Sequence, residues 1–481
     1  MTKKKELAVT TAVAIGLAVV LLVIGVAGGY LAGSAVPPVT STITSTTTRT
    51  VTQPTTVTTT VAEGTAVTIT QQTTLTTTAT VTQPPITITT TVAAQAAKGL
   101  SGEIPIGIAY ELSGGLADWG QMMRDAILLA LDEVNRDLEA LGLDFRFKPI
   151  VEDTQGTAEG AIKAVQSLVE TKGVKVILGP LGSLGVKAAK SYVDSKQVVL
   201  ISCCSTSLEL ALPDDYIFRT TATTDVQGKP IVEMLKSLGV KNIGLIYRGD
   251  AFGKSLADVI KKDFAAAGGT IGVEIPYTPD QPDYSAEVAK LSSEIRRMGV
   301  GPQTAVVAIS FTEDGIPILD KARLDDTLGS VAWVGHNSWK SPSFLPPSAP
   351  AAIADFMVKV GFYASAPAAS ENTIYKAYVK NFEAKYGKKP FPQTEQAYDS
   401  AKLAVNAIIL AGRYDGQAIK QALPKAAATT FGALGHLQLN EAGDLPLLVY
   451  DMSQLRKVGD TYQWVRIAIL DPATGTLRKV G

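Results

Sequence analysis

The side chains best suited to chemistry in this 481-residue chain lie in one short cluster. Residues 202–207 read SCCSTS, all small hydroxyls and thiols with no charge among them. Small hydroxyls let a solute come close to the backbone and donate hydrogen bonds to an anionic or carbonyl group. The thiols offer a second chemistry. Cys204, with His336 from a distant part of the chain, has the types needed for a Cys–His nucleophile. Nothing else in the sequence supports an enzyme: it has no GxSxG, HExxH or P-loop phrase. Free thiols of this kind usually just pack. A bond between neighbouring cysteines closes no chain loop, so no disulfide framework is expected. With two Cys and two His in the whole chain, neither a metal site nor a cofactor is expected.

The elements around the cluster explain its place. The apolar run at 198–202, VVLIS, reads as a buried strand, and a helical turn starts near Leu208. Ligands of open parallel sheets bind at the carboxyl edge where such a strand ends. The same rhythm precedes it. Strands are expected at 104–110, 144–153 and 174–180. A helix between the first two carries Met123, Ile127, Ala130, Val134 and Leu138 on one stripe, and Thr157 N-caps the next. After Asp214 the alternation restarts, with strands at 242–248, 270–277, 305–310 and 331–335. Phe311 and Thr312 end one of these strands and face a cleft by the same edge logic. Helices at 371–386, 394–412 and 416–428 and a β-rich tail follow. The fold class is α/β: two doubly wound parallel-sheet lobes with a cleft between them.

The N-terminal part is of another kind. Lys3, Lys4 and Lys5 precede an uncharged apolar run at 7–33. It is long enough for a transmembrane helix of about 20 residues, with the lysines staying in the cytoplasm. The alternative is a signal peptide cleaved near Ala32-Gly33-Ser34. About half of residues 39–92 are Thr, and the phrase TVTQP occurs at 50–54 and again at 80–84. This low-complexity segment is expected to be an extended, unpaired stalk, its hydroxyls available for O-glycosylation. The expected domains are therefore 1–34 as anchor or signal, 35–97 as stalk, 98–222 with 353–432 as lobe 1, and 223–352 with 433–481 as lobe 2. A net charge of −1 gives no reason to expect a nucleic-acid partner.

The phrases IGIAYELSGGLADWGQ, VEDTQGTAEGAIKAV, ILGPLGS, LISCCSTSLEL, RGDAFGKS, AYDSAKLAVNAI and FGALGHLQLNEAGD follow one another in an order that resembles the leucine/isoleucine/valine-type solute-binding proteins of ABC transporters. That resemblance implies the type I periplasmic-binding-protein fold, with lobes joined by a three-strand hinge. It implies an extracellular binder of an amino acid or similar solute, working with a membrane permease and ATPase subunits. Carried across residue by residue, Ser183, Ser205 and Thr206 would hold the solute's carboxylate, though each hydroxyl also reads as a plain N-cap. Trp119 and Phe252 would cover the solute, or else sit as core aromatics. The family places an acid where this chain has Asn337, and that acid pairs with the solute's ammonium. Either Glu313, Asp314 or Asp250 replaces it, or the solute is an amide, a urea-like compound or a carboxylate.

Overall fold

A computed structural model describes residues 49–60, 66–77, 99–368, 372–471 and 474–480. The apolar run at 7–33 lies outside them, and among the described residues no helix is long and apolar enough to cross a membrane. The Thr-rich stretch departs from the expected unpaired stalk. Strands β1 (Arg49–Thr60) and β2 (Ala66–Thr77) pair antiparallel along their whole length, Arg49 opposite Thr77 and Thr60 opposite Ala66. Thr, Val and Ile are β-branched and favour the extended, paired backbone, and that propensity prevails here over low complexity.

The globular unit is built on two sheets. In lobe 1, β3 (Gly102–Tyr110), β4 (Phe145–Asp153), β5 (Val176–Leu178), β6 (Val199–Ser202) and β7 (Ile217–Arg219) form a parallel sheet in the order β4-β3-β5-β6-β7. Helices α1 (Ala117–Ala140), α2 (Ala158–Gln166) and α3 (Ser183–Lys196) connect its strands. Every residue of β5 and β6 is buried. Helices cover both faces of a parallel sheet, so its strands read as unbroken apolar runs. The stripe on α1 is inside as expected, with Met123, Ile127, Ala130 and Leu138 buried and Val134 packed against them. Thr157 caps α2, its hydroxyl accepting the Gly160 N–H at 2.9 Å.

Lobe 2 contains α4 (Thr224–Ser237), β8 (Asn242–Arg248), α5 (Ala251–Ala266), β9 (Thr270–Tyr277), α6 (Ser285–Met298), β10 (Thr304–Ile309), α7 (Thr312–Ala322), β11 (Ala332–Gly335), α8 (Ala351–Lys359) and β12 (Tyr363–Pro367). The chain then contributes α9 (Thr373–Tyr386), α10 (Thr394–Ala411), α11 (Gly416–Thr429) and the small pair β13 (Phe431–Gly432) and β14 (Gly435–His436). Of these, α10 packs on α1 and on strands β5 and β6 of lobe 1. β15 (Tyr450–Val458), β16 (Thr461–Leu470) and β17 (Leu477–Lys479) return to the second sheet, whose order is β17-β16-β15-β12-β11-β10-β8-β9.

This topology corrects the expected boundary at 353. β12 hydrogen-bonds to β11 and β15, and Ile353, Phe356 and Met357 of α8 share a core with Trp333, Trp339 and Phe362. Residues up to Pro367 therefore belong to lobe 2. The apolar face of α8 matches the Trp-rich side of that sheet, a pairing that a linear reading of helix spacing does not reveal.

Candidate functional site

Each lobe turns the carboxyl ends of its parallel strands toward a shared cavity. On the lobe 1 side the loops after β5 and β6 are laced together. Ser183, the first residue of α3, accepts at its Oγ the N–H groups of Thr206 (3.2 Å) and Ser207 (3.3 Å) and the hydroxyl of Ser205 (3.0 Å). Ser183 and Thr206 line the cavity, but Ser205 does not. Ser205 is fully buried beneath it and is corrected from ligand contact to support. The helical turn expected near Leu208 is a single 3-10 turn, Leu208–Leu210. The N-termini of α1, with Leu116 and Trp119, and of α3, with Gly182 and Ser183, meet this wall.

Two buried ionic groups, unforeseen in the sequence, brace these loops. The Glu111 carboxylate accepts the N–H groups of Leu181 and Gly182, each at 3.1 Å, and burial pushes its pKa up to about 7. The Arg219 guanidinium donates to the Ser205 and Ser207 carbonyls at 3.2 and 2.8 Å. Its other edge makes a bidentate pair with Asp444 at 2.5 and 2.8 Å. Asp444 lies between β14 and β15, so the solute loop is tied directly to an interlobe crossover. The one available signal was that Asp444 ends the FGALGHLQLNEAGD phrase.

The cysteines depart from the expected free, packed thiols. Cys203 and Cys204 are bonded to each other, at the turn that ends β6. As expected, this closes no chain loop. Cys203 is in the core and Cys204 lines the cavity. The Cys–His nucleophile is not assembled. His336 is fully buried, with ring nitrogens at Ser310, Asn337 and Ser338, and burial pulls its pKa down to about 4.

On the lobe 2 side Phe252 and Phe311 stack at 5.4 Å and both line the cavity. The Arg248 guanidinium lies 3.9 Å from the Phe311 ring centre. Arg248 also takes up the acids considered as ammonium partners: Asp250 at 2.5 Å, Asp314 at 2.8 Å and Glu313 at 3.4 Å. None of the three lines the cavity. Thr312 does not line it either, and its buried hydroxyl has no hydrogen-bond partner. It follows Phe311 directly and starts α7, so its side chain leaves on another side from the ring.

Asn337 does reach the cavity. Its Oδ1 accepts Gln227 Nε2 at 2.6 Å, and its Nδ2 donates to Gln393 Oε1 at 3.0 Å. Trp119 lines the lobe 1 wall, edge-on to Phe391 at 5.5 Å. The lobes are closed on one another. Asp118 accepts the Ser341 and Ser343 hydroxyls at 3.1 and 2.5 Å. A Cβ on Gly115 would lie 2.2 Å from the Glu313 carboxyl carbon. Burial pushes the Glu313 pKa up to about 7.

A family model described as periplasmic binding protein matches residues 103–444. An uncharacterized protein of Methanocaldococcus jannaschii is 28% identical over 394 residues, covering 78% of this chain and 91% of its own. The leucine-, isoleucine-, valine-, threonine-, and alanine-binding protein of Pseudomonas aeruginosa is 26% identical, covering 71% and 87%. Among solved structures, the leucine binding protein LivK of Thermotoga maritima superposes with a TM-score of 0.63 at 19% identity, covering 77% of this chain and 99% of that one. A solute binding protein of an ABC transporter from Rhodopseudomonas palustris, in complex with 3,4-dihydroxy benzoic acid, gives 0.64 at 18%, with the same coverage. The family match runs from the first strand of lobe 1 to the crossover that carries Asp444, and the chain belongs to the periplasmic binding protein family, whose members bind solutes and are not enzymes.

Proposed function

We propose that this protein captures an amino acid or a similar small polar solute between its lobes and delivers it to an ABC-type permease driven by ATPase subunits. The observation that carries this reading is the cavity at the carboxyl edges of both sheets. Its walls combine apolar rings from Trp119, Phe252 and Phe311 with hydroxyls from Ser183 and Thr206 and the carboxamide of Asn337. Apolar walls bury the body of a solute, and a few fixed polar groups orient its head. The apolar run at 7–33 would hold the protein at the outer face of the membrane, and the Thr-rich segment would space the lobes from it. A carboxylate, amide or urea-like solute is the second reading, favoured by Asn337 where an acid would serve an ammonium.

A thermal-shift screen of the full chain against amino acids, small carboxylates and amides tests the reading. A binder is stabilised by mass action, so its solute raises the melting temperature in a concentration-dependent way. No shift with any compound at millimolar concentration would sink the transport reading.

A further inference from the structure

We propose that the cavity selects an uncharged solute bearing a carboxamide or urea group, and discriminates against both an amino acid's ammonium and a free carboxylate. This rests on the solute-binding reading above and narrows it. Among the described residues, no Asp, Glu, Lys, Arg or His lines the cavity. An ammonium there would be desolvated without a counter-charge, a loss that a neutral nitrogen avoids.

An anion fares no better. The N-terminus of α3 is the natural anion site of this wall. Beside it lies a buried carboxylate: Glu111 accepts from Leu181 and Gly182, the two residues just before α3, and a second anion at that helix start would meet it. Nor are the neighbouring Thr206 and Ser207 N–H groups free, since both are spent on Ser183 Oγ.

What the cavity offers instead is a relay of neutral amides. The Thr206 hydroxyl donates to Gln227 Oε1 at 3.2 Å, Gln227 Nε2 to Asn337 Oδ1 at 2.6 Å, and Asn337 Nδ2 to Gln393 Oε1 at 3.0 Å. The relay ends on Gln393 Nε2, which is buried without an acceptor. Trp119 Nε1 is a second buried donor in the same state, and both residues are only 5% exposed. Buried donors left unsatisfied are rare, and two in one cavity call for an acceptor oxygen from the solute. An acceptor is also open. Gln396 Oε1 lies 3.8 Å from the Cys204 sulfur, which is bonded to Cys203 and has no hydrogen to give. Donors and acceptor together match the C=O and N–H₂ of one neutral amide.

The test compares near-isosteric ligands on the full chain by calorimetry and thermal shift: 4-methylpentanamide, 4-methylpentanoate and leucine, with benzamide against benzoate as an aromatic pair. The amides should bind about 10-fold or more tightly than their charged partners, since pairing a buried donor and sparing a buried charge are each worth that much. The Asn337→Asp variant should narrow or reverse the gap between leucine and 4-methylpentanamide by supplying the missing counter-charge. Leucine or either carboxylate binding as tightly as its amide would overturn the proposal and leave the solute-binding reading intact. The same holds if none of these five compounds binds but another amino acid or carboxylate from the screen does. No binding by anything in the screen would overturn both readings.

Discussion

The two walls of the cleft each rest on a buried arginine, and the two arginines are used differently. Arg219 in lobe 1 faces one carboxylate, Asp444, and spends its remaining donors on the carbonyls of the solute loop. The charges balance one to one, and the product is a fixed backbone. Arg248 in lobe 2 faces Asp250, Glu313 and Asp314 and carries Phe311 on its face. Here carboxylates outnumber the cation, and one of them, Glu313, is pressed against the opposite lobe. Lobe 1 is therefore a braced wall, and lobe 2 a wall whose surplus carboxylate meets the opposite lobe.

Breaking the brace should have the largest effect. Arg219→Met leaves Asp444 buried and unpaired, and should cost about 3–5 kcal/mol in denaturant unfolding. Solute affinity should fall as well, because Ser205 and Ser207 lose their anchor. Adding Asp444→Leu should restore much of the stability but not the affinity, since the carbonyls stay unbound. Recovery of both would show that the pair is only a packing unit.

The closing face comes next. Gly115→Val places a branched side chain where a Cβ would already lie 2.2 Å from the Glu313 carboxyl carbon. The neighbour is the far end of a flexible side chain, which can swing aside, so the cost is at the low end of the about 1–3 kcal/mol of overpacking, and it falls on the contact between the lobes. Solute affinity should therefore drop while the melting temperature of the solute-free protein changes little. Glu313→Ala in the same chain should restore it.

The charge difference between the walls gives a pH signature. Glu313 and Glu111 both have pKa values raised by burial, from 4.5 to about 7. The folded protein holds these protons more tightly than the unfolded one. Each group's favourable contribution is thus present at acid pH and is lost as pH rises from about 4.5 to 7. Glu313 lies on the closing face, so Glu313→Gln should flatten the pH dependence of solute affinity. Glu111 lies within lobe 1, so Glu111→Gln should flatten that of unfolding only. Matching effects of the two variants on both measurements would remove the distinction between the walls.

How much of this was readable from sequence follows the range of the interactions. β5 and β6 were plain, because burial on both faces writes an apolar run into consecutive residues. Edge logic and the family resemblance together led to Trp119, Ser183, Thr206, Phe252, Phe311 and Asn337, all of which line the cavity. The same reasoning misjudged Ser205 and Thr312, each adjacent to a lining residue, because one step along the chain turns a side chain elsewhere. Arg219–Asp444 spans 225 residues, and apart from the place of Asp444 at the end of the FGALGHLQLNEAGD phrase no local pattern marks the pair. Gln227, Gln393 and Gln396 were missed for a related reason. Polar amides on a helix, as Gln227 and Gln396 are, or in the turn before one, as Gln393 is, read as solvent-facing until a second lobe covers them.

The smallest effect tests whether the braced wall is rigid. Thr157 accepts the Gly160 N–H at 2.9 Å and caps α2, on residues that do not line the cavity. Thr157→Ala should lower unfolding stability by about 1 kcal/mol, the usual worth of an N-cap. If lobe 1 is a fixed wall, that loss stays local even though α2 packs on α3, because Glu111 and Arg219 also hold the start of α3 and the loop after β6. The solute dissociation constant should then be unchanged within error. A weakened affinity in Thr157→Ala would mean that fraying of α2 reaches the solute loop, and that lobe 1 yields much as lobe 2 does.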